Sequence, residues 1–146
     1  MEKIHFLILK IRKKTINLPK PMSFIIIDLF GKDSFLLLII CLLSLRTRDS
    51  VTLPVSLNLF KYAKTPHDML ALSTQELESL IYSVGFYKQK AAQIKRISAL
   101  LIDGYNGQVP YTERELLALP GVGIKTANLV LGMAFDIPAI CVDIHV

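Results

Sequence analysis

Leu119-Pro-Gly-Val-Gly-Ile-Lys-Thr-Ala127 is the stretch that decides how the rest of this chain is read. Two glycines stand two residues apart, between a short helix that should stop at Leu119-Pro120 and another that should run from Ile124 to about Ala134. Glycine permits positive φ, so the turn can be tight and its backbone can come close to another backbone. The amides around Gly121 to Lys125, at the start of the second helix, then lack intrahelical partners and lie at the positive end of the helix dipole. Such a row suits a DNA phosphate. A phosphate contact fixes position and reads no base, so Gly121, Val122 and Gly123 are candidate DNA-binding residues through their backbone.

Outward from the hairpin, the chain beyond about residue 34 reads as short helices separated by turn signals, without strand alternation or internal repeat. The fold class is therefore all-α, a helical bundle. Phe35 to Leu45 is apolar on every side, as befits a helix at the centre of a bundle, and Ser44 to Asp49 closes it in polar residues. Pro54 is assigned to the first turn of the next helix, running through Leu57 and Phe60 to about Ala63, and Thr65-Pro66 marks a turn. Ser73 and Glu76 form a capping box for a helix through Leu77, Leu80, Ile81 and Val84 that ends at Gly85. Ala91, Ile94, Ile97 and Leu101 define an amphipathic helix ending near Gly104, with Lys88, Lys90, Lys95 and Arg96 decorating its surface. Thr112 and Glu115 form a second capping box, opening the helix before the hairpin. Val122, Leu129 and Leu131 are assigned to the core.

Length and composition fit one compact domain: 146 residues, 52% hydrophobic. Lysine and arginine outnumber acids by 17 to 12, a formal charge of +5, which accommodates a polyanionic partner without requiring one. Six of those basic residues (Lys3, Lys10, Arg12, Lys13, Lys14 and Lys20) lie in the first 20 positions, so residues 1–33 read as a basic and apolar N-terminal arm and 34–146 as the core. The arm either touches phosphates or is merely solvated. The apolar run from Phe24 to Leu45 is interrupted by Asp28, Lys32 and Asp33, leaving Phe35 to Leu43, too short for the roughly 20 residues that span a bilayer. Cys41 and Cys141 sit in apolar sequence and read as reduced core cysteines of an intracellular protein. No metal-ligand spacing is present.

At the hairpin the chain resembles the endonuclease III branch of the helix-hairpin-helix superfamily of DNA glycosylases, which carries this Leu119-to-Ala127 pattern and the Val-Asp-x-His found here as Val142-Asp-Ile-His145. The resemblance extends through Gly85-Phe-Tyr-x-x-Lys-Ala91, Asn106-Gly-x-Val-Pro110 and Leu42-Leu-Ser-x-x-Thr-x-Asp49, covering roughly residues 34 to 146. It implies a six-helix-barrel type of bundle and a bifunctional DNA N-glycosylase and abasic-site lyase that removes oxidised pyrimidines from double-stranded DNA, acting as an intracellular, cytoplasmic monomer. It also implies that Lys125 is the nucleophile, attacking C1′ of the damaged nucleotide and forming a Schiff base that leads to β-elimination. A helix N-terminus and part-burial would both favour the neutral amine this requires. Asp143 would stabilise positive charge developing on the sugar and assist proton transfer. Each residue also has a plainer reading: Lys125 as a solvated lysine, Asp143 as a helix cap, the glycines as a simple turn. His145 is read as structural or phosphate-facing.

A lesion must leave the base stack before its C1′ can be reached, and side chains fill the vacated space. By resemblance, Arg46 stands where many relatives carry a gap-filling glutamine, and Phe86 where they carry an apolar wedge. For Phe86, core packing beside Tyr87 is the alternative. Arginine at 46 departs from the usual pattern and bears on base preference, and Ile144 replaces a common threonine. Relatives continue past the aspartate into a second domain and, in most, four cysteines holding an iron–sulfur cluster. Those ligands are absent here, so no cofactor is expected in this chain, and a C-terminally shortened member of the family is. The competing class is a non-catalytic DNA-binding remnant that keeps the hairpin. Two further readings rank lower: a monofunctional glycosylase, whose branch generally lacks the hairpin lysine, and a membrane-associated helical protein.

Overall fold

The computed structural model describes residues 22–137, and these form eight helices and no strand. They are α1 (Met22–Phe30), α2 (Ser34–Ser44), α3 (Asp49–Phe60), α4 (Pro66–Ala71), α5 (Thr74–Leu80), α6 (Tyr87–Tyr105), α7 (Glu113–Leu117) and α8 (Ile124–Ala134). The all-helical expectation holds. The sequence reading places Met22–Phe30 in the N-terminal arm and assigns it no helix. The structure forms one there, with Ile26 fully buried and the Phe30 ring edge-on to Phe60 at 5.7 Å.

α2 is the hub. Every residue from Phe35 to Leu43 is buried, since a helix apolar all round must be covered all round. It packs against α1, α3, α6 and α8. Asp33 caps its start by accepting the Leu36 amide at 3.0 Å, and the chain leaves it at Leu45 in extended conformation.

Several local expectations are corrected. Pro54 lies inside α3, which starts at Asp49 and not at the proline. The proline is exposed, as is Ser50 one turn earlier. The carbonyl that loses its intrahelical donor thus lies on the solvent side. Thr65-Pro66 is not a bare turn but the cap and first residue of α4, with the Thr65 hydroxyl accepting the Asp68 amide at 3.1 Å. The Ser73–Glu76 box is complete, but its helix stops at Leu80 and the chain turns before Gly85. At α7 the Thr112 hydroxyl accepts the Glu115 amide, while the Glu115 carboxylate takes the Thr112 hydroxyl and not the Thr112 amide, so that box is half made.

α6 presents Ala91, Ile94, Ile97 and Leu101 to the core as the spacing requires, and it packs against α4 and α5. α8 runs over the residues expected of it, with Val130 and Leu131 buried. Lys32 meets Asp136 at 2.7 Å, joining the α1–α2 loop to the end of α8. Both side chains are largely in solvent, so the pair adds little.

On α3 the Ser56 hydroxyl is buried without a hydrogen-bond partner among the described residues. Ser56→Ala should leave stability unchanged or raise it by up to about 1 kcal/mol, because it removes an unmet desolvation cost. Leu38→Ala, in the fully buried stretch of α2, should lose about 2–5 kcal/mol. Urea unfolding of both variants measures the contrast, and a large loss for Ser56→Ala would show that the hydroxyl is paired.

Candidate nucleic-acid interface

The hairpin joins α7 to α8. Leu119 and Val122 are buried and anchor it, with the Val122 amide donating to the Leu119 carbonyl at 3.2 Å. Gly121 takes φ +78, and a Cβ there would lie 2.9 Å from the Gln93 side chain on α6. This glycine is used for its backbone freedom. Gly123 is not: its φ of −99 and ψ of −179 are extended, open to any residue. No described atom lies within 4 Å of where its Cβ would stand. Its lack of a side chain keeps the surface clear.

Gly123 is the N-cap of α8 and makes no side-chain cap, and the first intrahelical bond runs from the Ala127 amide to the Gly123 carbonyl at 2.9 Å. The amides of Ile124, Lys125 and Thr126 precede that bond and have no acceptor within the helix. Lys125 is exposed beside them, so the part-burial expected from the sequence is not found. Leu129 is likewise exposed and not core, on the outward side of α8 with Ile124, whereas Val122 and Leu131 are buried as expected. Asp143, together with Cys141, Val142, Ile144 and His145, lies outside the described residues.

The structure brings Arg46 and Phe86 together from loops 40 residues apart. Both have left-handed backbones, at φ 56 and φ 57, and the Arg46 guanidinium carbon lies 5.4 Å from the centre of the Phe86 ring, within cation–π range. Phe86 is 53% exposed, so the core-packing alternative does not hold for it. The loops touch through backbone. A Cβ on Gly85 would stand 2.9 Å from the Arg46 carbonyl oxygen, and the Gly85 amide donates to the Thr47 hydroxyl at 2.8 Å.

Lys90 is the residue that the sequence reading misplaces. It does not decorate α6: it is buried, 5% exposed. Its Nζ donates to the Leu43 carbonyl at 3.0 Å, to the Leu45 carbonyl, and to the Thr47 hydroxyl at 3.2 Å. Burial pulls its pKa below the usual lysine value. Lys95 also turns inward, donating to the Leu72 carbonyl behind α4. A signal for Lys90 was present, since 90, 94, 97 and 101 share one helical face and the last three are apolar.

α6 links the two patches. Phe86 caps its start and Gln93 meets the hairpin at Gly121. The seven intervening steps make nearly two turns, about 10 Å along the axis and on one side.

The residues of this chain do not fit an iron–sulfur cluster. The sequence holds two cysteines. Cys41 is buried in α2, where burial pushes its thiol up to about 12, the opposite of what a thiolate ligand needs. Among the described residues no group of three or more His, Cys, Asp or Glu side chains is placed to hold a metal ion.

Residues 39–146 match the family model of the HhH-GPD superfamily of base excision DNA repair proteins. Endonuclease III of Bacillus subtilis is 42% identical over 119 residues, covering 82% of this chain and 54% of that protein. Endonuclease III of Thermotoga maritima is 46% identical over 114 residues, covering 78% of this chain and 54% of that protein. A solved structure described as a trapped endonuclease III–DNA covalent intermediate superposes with a TM-score of 0.72 at 44% identity, over 85% of this chain and 60% of the other. The chain thus spans about half the length of the curated relatives that it matches.

The glycines should separate by role. Gly85→Ala forces a methyl against backbone and should cost about 1–3 kcal/mol. Gly121→Ala imposes positive φ on a side chain and should cost about 1–2 kcal/mol, while Gly123→Ala should cost under about 1 kcal/mol. Denaturant unfolding of the three checks the order. Equal losses at Gly123 and Gly85 would contradict it.

Proposed function

The chain belongs to the HhH-GPD superfamily of base excision DNA repair proteins, and on that premise we propose that it is a DNA glycosylase and abasic-site lyase of the endonuclease III type. The observation that carries this is the uncapped start of α8, where free amides and an exposed lysine stand side by side on a glycine-cleared surface. Its partner is double-stranded DNA with a damaged base or an abasic site, and oxidised pyrimidines are the lesions that the family resemblance indicates.

In this reading the amides of Gly123 to Thr126 hold a phosphate at the positive end of the α8 dipole, with Gly121 shaping the turn and Val122 anchoring it. Arg46 and Phe86 enter the space left by the everted nucleotide, and the arginine offers hydrogen bonds to the orphaned base. The neutral Lys125 amine attacks C1′ as the bond to the base breaks. Asp143 stabilises the positive charge on the sugar and takes up the lysine proton. Opening of the sugar gives the Schiff base, from which loss of a C2′ proton expels the 3′ phosphate. That a similar protein was captured as a covalent intermediate with DNA supports such a step. No cofactor is assigned to this chain's residues.

We place the protein inside the cell, on DNA, as a monomer. No helix among the described residues is long and apolar enough to cross a membrane. The exposure of Lys125 favours one second reading, a module that binds DNA without chemistry.

The two readings part at a covalent trap. Incubation with abasic-site DNA and borohydride should yield an adduct that Lys125→Ala abolishes while DNA binding persists, and Asp143→Asn should slow base removal more than cleavage at a preformed abasic site. Binding without any Lys125-dependent adduct would favour the second reading. Affinity should also fall steeply with salt, by a log–log slope of roughly −0.9 per phosphate engaged. A flat salt response would remove the phosphate contact from both.

A further inference from the structure

Lys90 carries a positive charge into the interior with no acidic partner among the described residues; its three acceptors there are two backbone carbonyls and a hydroxyl. Burying an ammonium is costly, and for core packing alone an apolar side chain would serve as well. All three acceptors belong to one short segment, Leu43 to Thr47, which contains Arg46. The Lys90 amide, in turn, donates to the Phe86 carbonyl at 2.9 Å. That bond is the first intrahelical bond of α6, so the side chain that grips the arginine loop is carried one turn into the helix that Phe86 opens. Thr47 completes the link, accepting from Lys90 and from the Gly85 amide through the same oxygen. Neither Arg46 nor Phe86 is a glycine, so each left-handed backbone needs such outside support.

We propose that Lys90 is a positioning residue, which locks Arg46 and Phe86 into a single stacked projection that enters the duplex as one unit. The inference rests on the reading of those two side chains as the gap-filling pair. It gives the hairpin and the projection separate tasks: the hairpin binds any duplex through phosphates, and the projection supplies the preference for a duplex with a missing base.

The test uses the whole chain and two duplexes of the same sequence, one intact and one with a tetrahydrofuran abasic analogue facing 2-aminopurine. Lys90→Met should lower the preference for the abasic duplex by about tenfold, the scale of one well-placed interface group. Affinity for intact duplex should stay within about twofold, because phosphate contacts carry it. The 2-aminopurine fluorescence change that wild type produces on binding should shrink with it. Thr47→Val should act in the same way and Thr47→Ser should restore the preference, and these variants decide the matter if Lys90→Met fails to fold. A parallel fall for both duplexes would mean a merely structural role and overturn the proposal, as would an unchanged preference in folded Lys90→Met. Absence of any preference in wild type would instead overturn the gap-filling reading, and the inference with it.

Discussion

A helix covered on every side has nowhere to send its last carbonyls. In α2 the covering is complete from Phe35 to Leu43, and the groups at its C-terminal end cannot all turn to water. The fold answers with a donor from another helix. The Lys90 ammonium reaches the Leu43 and Leu45 carbonyls, placing a cation at the negative end of the helix dipole. Lys90 meets the Leu43 carbonyl of α2, while the Cys41, Leu42 and Ser44 carbonyls take the Ser44 hydroxyl and the Leu45 and Thr47 amides; its hold on Leu45 then directs the chain into the left-handed turn at Arg46. A requirement of the core thereby sets the position of a surface side chain. Gly85 lets the second loop lie against the first, since any side chain there would meet the Arg46 carbonyl.

α6 then acts as the spine of the interface. Its first turn begins at Phe86, its fourth residue is Lys90, and about one turn further Gln93 faces the hairpin at Gly121. The hairpin itself is tied down by the burial of Leu119 and Val122, so its amides are presented by a packed element. A surface that must meet a phosphate and a displaced base together needs both features at fixed spacing, and one helix sets that spacing here.

Much of this was legible in the sequence. The bounds of α8, the apolar face of α6, the burial of α2 and the Ser73–Glu76 box follow from spacing and capping chemistry, which are local. The start of α3 was not, because the position of Pro54 looks like a first turn and only tertiary packing lets the helix continue past it. α4 was missed although Thr65-Pro66-x-Asp68 is a cap followed by a proline and an acid, the pattern of a helix start. For the site, the sequence pointed to the hairpin and to Arg46 and Phe86 as separate candidates. Their stacking and the role of Lys90 depend on contacts 40 or more residues apart along the chain, which no window of sequence contains. The exposure of Lys125 and Leu129 was unreadable for the same reason: an outward and an inward face of α8 differ only in what the rest of the fold brings against them.

The central claim is that the start of α8 and the Arg46–Phe86 pair form one DNA-binding surface. Residue-resolved amide hydrogen exchange, on the chain free and saturated with abasic-site duplex, tests it most directly. The account predicts slowed exchange at Gly123, Ile124, Lys125 and Thr126 together with Arg46, Thr47 and Phe86 in the same complex, and little change on α4. Saturated binding with the amides of α8 exchanging as fast as in the free protein would contradict it.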